Sequence, residues 1–326
     1  MFITGVAGFI GSRLAQRLLK EDIEVVGLDA FTDYYDPAIK RVNVARMQGL
    51  PGFRLLEADL LDDGWQHELR GVEVVFHQAA QPGVRASWAE GFAGYAHNNV
   101  IATQRLLEAV AELQVDIGKI ERNAEGLRPL RRFVYASSSS VYGDAMTFPT
   151  TEDSIPRPHS PYGVTKLAAE HLCAVYARNW GIPTVSLRYF TVYGGGQRPD
   201  MALNRMIAAA LGGPAFPLFG DGKQRRDFTH VDDIVAANLA AASTALEPGE
   251  VINLSGGSDA TVYDLLELVA DAVGSEVPVC HHAAQAGDVR RTGGDTAKAR
   301  AMLNWVPRVA LADGIAEQVA RQRHGG

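Results

Sequence analysis

Cysteine is nearly absent from this chain. Two residues, Cys173 and Cys280, occur among 326, and their spacing fits no metal site. That excludes a disulfide framework and a thiolate metal centre, and it fits reduced side chains in a cytosolic protein. Long apolar runs are missing too: none approaches 18 residues, and no charged leader precedes an apolar segment. Neither a membrane span nor a secretion signal is therefore expected. Positive charge is in deficit, with a formal net charge of -7 and a sequence pI near 5.7. A general nucleic-acid or membrane-surface binder is thereby disfavoured, while a local basic pocket for phosphates stays open. Internal repeats and low-complexity tails are also lacking. Apolar residues are plentiful, at 47% against 21% charged. They suffice for a sizeable core in two domains or one large α/β unit.

The first strong signal is a glycine turn. Met1 to Thr4 reads as a short strand running into Gly5-Val-Ala-Gly8-Phe-Ile-Gly11, and Ile10, Leu14, Leu18 and Leu19 then mark one stripe of a helix. Glycines at such a turn let the backbone approach a pyrophosphate, and a helix N-terminus offers free N–H groups and partial positive charge. The GxxGxxG pattern gains meaning from its place between a strand and a helix. A second strand, Ile23 to Asp29, ends in a carboxylate 18 residues after Gly11. There it can accept hydrogen bonds from adenosine ribose hydroxyls and repel a 2′-phosphate, favouring NAD over NADP. Asp33-Tyr-Tyr-Asp36 continues into a polar loop. The third strand, Phe53 to Glu57, leads to Ala58-Asp59-Leu60, and the fourth, Val72 to His77, leads to Gln78-Ala79-Ala80-Gln81-Pro82-Gly83. Small residues after a parallel strand leave space for a ligand at the carboxyl edge of the sheet. His77 ends an apolar strand and reads as a packed histidine rather than a catalyst. Arg85, beyond the loop, either meets a substrate anion or is exposed.

Asn98 to Ala111 is an amphipathic helix, and the polar stretch Glu112 to Leu130 is a surface excursion or helix extension. A fifth strand, Phe133 to Ala136, ends in four serines, Ser137 to Ser140. Four prolines make Thr147 to Pro161 a loop. A helix from Tyr162 to Trp180 then puts Lys166 one turn after Tyr162 on the same face. A cation beside a tyrosine favours the phenolate, and a neighbouring serine hydroxyl can hold a substrate oxygen against it. The pair says little by itself, because a chance Tyr-x-x-x-Lys is expected in roughly one such chain in five. Thr184 to Tyr189 is a sixth strand, after which the Gly/Pro content rises. Residues 1–189, with a return segment at about 229–258, are expected to form a nucleotide-binding domain. Residues 190–228 and 259–326 form a smaller substrate-binding lobe, with helices at Leu203 to Leu211 and Thr261 to Val273 and a basic turn at Phe219 to Phe228. Val231 to Ala242 is a helix and Glu250 to Leu254 a strand returning to the main sheet. Alternating strands and helices with right-handed crossovers predict an α/β fold with a doubly wound parallel sheet, its switch point beside the glycine turn.

In combination, GxxGxxG, Asp29, the Ala79-Ala80 pair, SSSSVYG, YGVTK, RYFTVYG and RRDFTHVDD resemble the extended short-chain dehydrogenase/reductase family, in particular its nucleotide-sugar epimerases. The resemblance runs from Thr4 to about Pro307 and implies an NAD-binding Rossmann fold. It implies Tyr162 as acid/base, Lys166 as its activator and ribose anchor, and Ser138, counted back from Val141-Tyr142-Gly143, as the third catalytic member. It implies cofactor contacts at Gly5, Gly8, Phe9, Ile10, Gly11, Asp29, Asp59, Leu60, Ala79, Ala80, Asn99, Tyr162 and Lys166. Arg226 matches an arginine that binds a nucleotide diphosphate, and Asp288 an acid that holds the uridine ribose. The helices at Asn98 and Tyr162 match those of a four-helix dimer interface, which implies a homodimer. No metal is implied.

The subgroups differ next to the serine. Sugar-nucleotide dehydratases carry acidic residues directly after the catalytic threonine, and UDP-glucuronate decarboxylases a glutamate at the position of Ser140. Ser139 and Ser140 supply no carboxylate. UDP-glucose 4-epimerases usually have asparagine where this chain has Thr191. The RYFTVYG…RPDMA run, with DYYD and AAQPGVR, is similar to UDP-glucuronate 4-epimerases, in which the threonine and the arginine before PDMA lie near the sugar carboxylate. They are Thr191 and Arg198 here, and an arginine fork is a natural partner for a carboxylate. Gly195-Gly196-Gln197 replaces the Pro-Trp-Gly usual before that arginine. The resemblance thus implies NAD-dependent 4-epimerization of UDP-glucuronate to UDP-galacturonate, with Arg85, Ser138, Ser139, Ser140, Tyr162, Thr191, Arg198, Arg226 and Asp288 facing the substrate. UDP-glucose 4-epimerization is the alternative, followed by UDP-glucuronate decarboxylation. A catalytically silent dinucleotide sensor has no need of an intact Ser138/Tyr162/Lys166 set, and a nucleic-acid module is disfavoured by charge.

Overall fold

Strand segments that are apolar on both faces call for helices on both sides of a parallel sheet. The computed structural model, which describes residues 1–120, 129–285 and 287–324, has that layering. The first half of the chain holds β1 (Phe2–Thr4), α1 (Phe9–Leu19), β2 (Val25–Asp29), α2 (Pro37–Ala45), β3 (Phe53–Glu57), β4 (Val74–His77), α3 (Phe92–Tyr95), a π-helical turn (Ala96–Ile101), α4 (Ala102–Ile120), β5 (Arg132–Ser138), α5 (Pro161–Trp180) and β6 (Thr184–Tyr189). The second half holds β7 (Thr191–Tyr193), α6 (Ala202–Ala210), β8 (Phe216–Phe219), β9 (Arg225–Arg226), β10 (Phe228–His230), α7 (Val231–Ser243), β11 (Glu250–Leu254), β12 (Ala260–Thr261), α8 (Val262–Val273), β13 (Val279–His282), α9 (Ala297–Leu303) and α10 (Leu311–Arg323).

Seven parallel strands form the main sheet in the order β11-β6-β5-β4-β1-β2-β3. The order reverses between β1 and β4, where Thr4 faces His77 across the ladder. That is the switch point, and the crevice outside the strand ends there is where such sheets bind ligands. Leu14 and Leu18 of α1 pack with Ile234 and Val235 of α7 on one side of the sheet. Leu106, Leu107 and Val110 of α4 pack with Ala169 and Cys173 of α5 on the other. A third core lies among α6, α8, α10 and the β8–β13 pair, with Met206, Leu265 and Ile315 inside. No helix among the described residues is long and apolar enough to cross a membrane.

The structure departs from the sequence reading in short elements. The polar loop expected after Asp36 is α2, capped by the Asp36 carboxylate, which accepts from Ala38 N at 2.9 Å, and started by Pro37. The Asn98 helix begins earlier, at Phe92, and runs on through the start of the Glu112 to Leu130 stretch; the 121–128 part of that stretch lies outside the described residues. The two-stranded pairs β7–β10, β9–β12 and β8–β13 involve strands of two to four residues, too short for a period-two pattern to be visible.

Candidate active site

The carboxyl ends of the central strands open on one cleft of about 390 Å³. Its first wall is the glycine turn. Gly5 has φ +69°, and a Cβ there would lie 2.8 Å from the Ala79 backbone; one at Gly11 would lie 2.2 Å from the Gly5 carbonyl oxygen. Only hydrogen fits at these two positions, so the turn, Ala79 and Ala80 close into a backbone cradle suited to a pyrophosphate. Phe9, Ile10, Asp59 and Leu60 also line the cleft. Asp29 is buried and held by two backbone donors, Ala7 N at 3.0 Å and Phe31 N at 2.8 Å. Lys40 Nζ stands 3.8 Å from the same carboxylate and lines the cleft as well. Sequence reasoning missed Lys40 because its helix was read as a loop; the Asp-Pro start at Asp36 was the available signal.

The serine run is sorted by strand geometry. Adjacent residues of β5 point to opposite faces. Ser137 Oγ donates to Glu170 Oε2 at 2.8 Å, inside a buried network in which Arg188 pairs with Glu170 and Nη1 donates to the Tyr142 hydroxyl at 2.6 Å. Ser138 caps the short turn at Ser139–Val141, accepting from Ser140 N at 3.1 Å, and its hydroxyl acts on Tyr162, lowering the tyrosine pKa. Helix α5 starts beside it, with Ser160 as N-cap accepting from Gly163 N at 3.1 Å and Pro161 at the first position. Ser138, Ser139, Ser140, Tyr162 and Lys166 all line the cleft.

Burial raises the Tyr162 pKa above its ordinary value, while the Ser138 hydrogen bond and the Arg198 charge pull it down. Tyr95 packs its ring edge-on to Tyr162, with centroids 6.1 Å apart. Lys166 is buried, and its Nζ donates to the Ala136 carbonyl at 2.7 Å and lies 5.0 Å from the Tyr135 ring centre. Burial pushes its pKa down to about 7. The Arg198 charge thus reaches Tyr162 as well, a coupling between segments 36 residues apart that helical spacing alone could not reveal.

Thr191 and Arg198 enter the cleft from the opposite wall. Thr191 opens β7, its N–H donating to the Asp227 carbonyl at 3.0 Å. Gln197 anchors the loop before Arg198: its Nε2 donates to Val192 O at 3.1 Å and its Oε1 accepts from Asn204 N at 3.1 Å and Gln318 Nε2 at 2.9 Å. The remaining expected residues do not line the cleft. Arg85 Nη2 pairs with Asp288 Oδ2 at 2.8 Å, and its guanidinium lies 4.2 Å over the Phe219 ring. Arg226 lies beside them; burial lowers its pKa and the Asp288 and Asp144 charges raise it. These three form a separate cluster. Asn99 is buried, accepting from Gln81 N at 2.7 Å and donating to Thr165 Oγ1 at 3.0 Å, so it ties the loop after β4 to α5. His77 bonds Thr4 and Thr103 through its two ring nitrogens at 2.7 and 2.9 Å, and burial pushes its pKa down to about 3, in keeping with a packed residue. Gln78 and Tyr189, which share hydrogen bonds with Asn238 at the cleft floor, carried no sequence signal beyond their strand-end positions.

A family model for the NAD dependent epimerase/dehydratase family matches residues 1–255. The chain belongs to that family. It is 39% identical over 321 residues to the uncharacterized UDP-glucose epimerase YtcB of Bacillus subtilis (strain 168), covering 98% of this chain and 96% of the relative. It is 34% identical over 326 residues to the UDP-glucuronate 4-epimerase of Thermodesulfobacterium geofontis (strain OPF15), covering 97% and 94%. The crystal structure of UDP-glucuronic acid 4-epimerase from Bacillus cereus, in complex with UDP-glucuronic acid and NAD, superposes with a TM-score of 0.90 at 39% identity, covering 99% and 98% of the two chains.

Proposed function

We propose that this chain interconverts UDP-glucuronate and UDP-galacturonate by NAD-dependent epimerization at C4 through a 4-keto sugar. One observation carries the reading: Ser138, Tyr162, Thr191 and the Arg198 cation line one cleft, with serines rather than carboxylates at 139 and 140. The similarity to UDP-glucuronate 4-epimerases supports it. The Gly5–Gly11 cradle would hold the pyrophosphate of NAD, Asp29 the adenosine ribose and Lys166 the nicotinamide ribose. NAD, when bound, supplies reversible acceptance of hydride from the sugar carbon.

Tyr162 takes the proton of the sugar 4-hydroxyl and later returns it. Ser138 hydrogen-bonds the reacting oxygen on either face of the turned sugar. Lys166, one turn along α5 from Tyr162, favours the phenolate as a neighbouring cation. A 4-keto glucuronate is a β-keto acid and loses carbon dioxide when its carboxylate bond aligns with the ketone π system; Ser139, Ser140, Thr191 and Arg198 hold the carboxylate out of that alignment. We assign the nucleotide-sugar lobe to residues 190–228 and 259–326, where Arg226 and Asp288 would meet the diphosphate and ribose, with Arg85 beside them. A homodimer through α4 and α5 is supported by Ile101, Val164 and Val175, which are 42%, 48% and 52% exposed on or beside those helices. The two free cysteines support a cytoplasmic setting.

Proton NMR of the purified protein with UDP-glucuronate and no added cofactor tests the reading. UDP-galacturonate is the expected product. Turnover of UDP-glucose alone would replace it with the hexose epimerase, and a UDP-pentose product with the decarboxylase.

A further inference from the structure

Arg198 is held from one side. Its Nε donates to Asp200 Oδ1 and its Nη2 to Asp200 Oδ2, both at 3.0 Å. This fork occupies one edge of the guanidinium. Nη1 has no hydrogen bond to the described residues, so the edge shared by Nη1 and Nη2 can receive a second carboxylate. Asp200 is the more exposed partner, at 37% against 18% for the arginine side chain. The Tyr34 hydroxyl, from the segment after β2, reaches Asp200 Oδ2 at 3.5 Å. The Gln197 anchors stiffen the loop that carries both residues.

We propose that Asp200 is a specificity-tuning residue of the substrate site. It cancels part of the Arg198 charge, so that a sugar carboxylate is gripped loosely enough to be released. The inference rests on the uronate reading above. A sugar that turns over between two half-reactions must break its ground-state contacts midway, and grip that is too strong at the start raises the barrier to the turn. An uncompensated arginine would hold the carboxylate too firmly, and the nearby Asp200 carboxylate opposes that hold by direct repulsion.

The test compares binding of UDP-glucuronate and UDP-glucose by calorimetry in the full-length protein, D200N, D200S and the double variant R198Q/D200N. The expected result is about fivefold tighter binding of UDP-glucuronate in D200N and D200S, unchanged binding of UDP-glucose, and loss of the gain in the double variant. With UDP-glucuronate as substrate, D200N should lower both KM and kcat. Equal shifts for both ligands, or unchanged or weaker binding of UDP-glucuronate, would overturn the proposal and leave Asp200 as a loop brace. The binding readout needs no turnover. If the unaltered protein makes no UDP-galacturonate, the reaction assigned above fails, and the ligand comparison still judges Asp200 by itself.

Discussion

Ser137 and Ser138 are neighbours with identical side chains, yet one joins a buried ion-pair network and the other meets Tyr162. The S138A variant is expected to lose roughly a hundredfold in kcat with its unfolding midpoint intact. S137A should keep its kcat and lose about 1 kcal/mol of stability, the usual worth of one buried hydrogen bond. Steady-state kinetics with urea denaturation separates the two. At Tyr162 the neighbouring groups are Ser138, Lys166, Tyr95, Tyr135 and Arg198, and the Arg198 charge lowers the tyrosine pKa. Removing that charge raises the tyrosine pKa further, so less phenolate exists at a given pH. The acid limb of the kcat/KM profile for UDP-glucose, a ligand without a carboxylate, should move to higher pH in R198Q, and the same variant given UDP-glucuronate should release a larger share of pentose. Residue identities were legible in the sequence at this scale because the motifs are local. The Arg198 influence on Tyr162 was not, since it depends on the first turn of α5 and the loop after β7 meeting in the cleft.

β6, buried at every residue, has the bounds expected from the sequence, because a run bounded by loop residues leaves few alternatives; the edge strands β3 and β11 match their expected bounds as well. α2 escaped notice because only Lys40, Asn43 and Val44 of its nine residues are buried, which is too little apolar surface for a clear stripe. The α5–β6 contact is the element-scale feature most open to test. Glu170 and Arg188 are each 5% exposed as side chains, and the network continues through Tyr142 to Asn253. In R188M the Glu170 carboxylate would remain buried without its partner. Removing one member of a buried pair costs about 3–5 kcal/mol, so the denaturation midpoint of R188M should fall sharply. A midpoint within error of the unaltered protein would show that the pair is dispensable.

The whole molecule combines an early-forming idea with a late one. The doubly wound parallel sheet and its switch point beside the glycine turn followed from the strand–helix alternation, whereas the grouping of Arg85, Arg226 and Asp288 depends on segments about 140 and 60 residues apart being folded together, which no local pattern encodes. Assembly belongs to this scale. Charged substitutions at exposed Val164 and Val175 of α5, as V164E/V175E, should convert a dimer to monomers in sedimentation velocity without altering the circular dichroism spectrum. A dimer that survives both charges would place the interface elsewhere.

The passage from β6 to β7 takes a single residue, Phe190, which is buried against Val141 and Tyr142 and whose N–H donates to the Leu254 carbonyl at 3.2 Å. A joint of that length has no slack. The strand that leaves the central sheet and the wall that carries Thr191 therefore cannot swing apart at this point, and the chamber keeps its outline while its contents rotate. Choice among sugars in such a chamber becomes a question of dwell time: how long each substituent stays at the charged wall before it lets go.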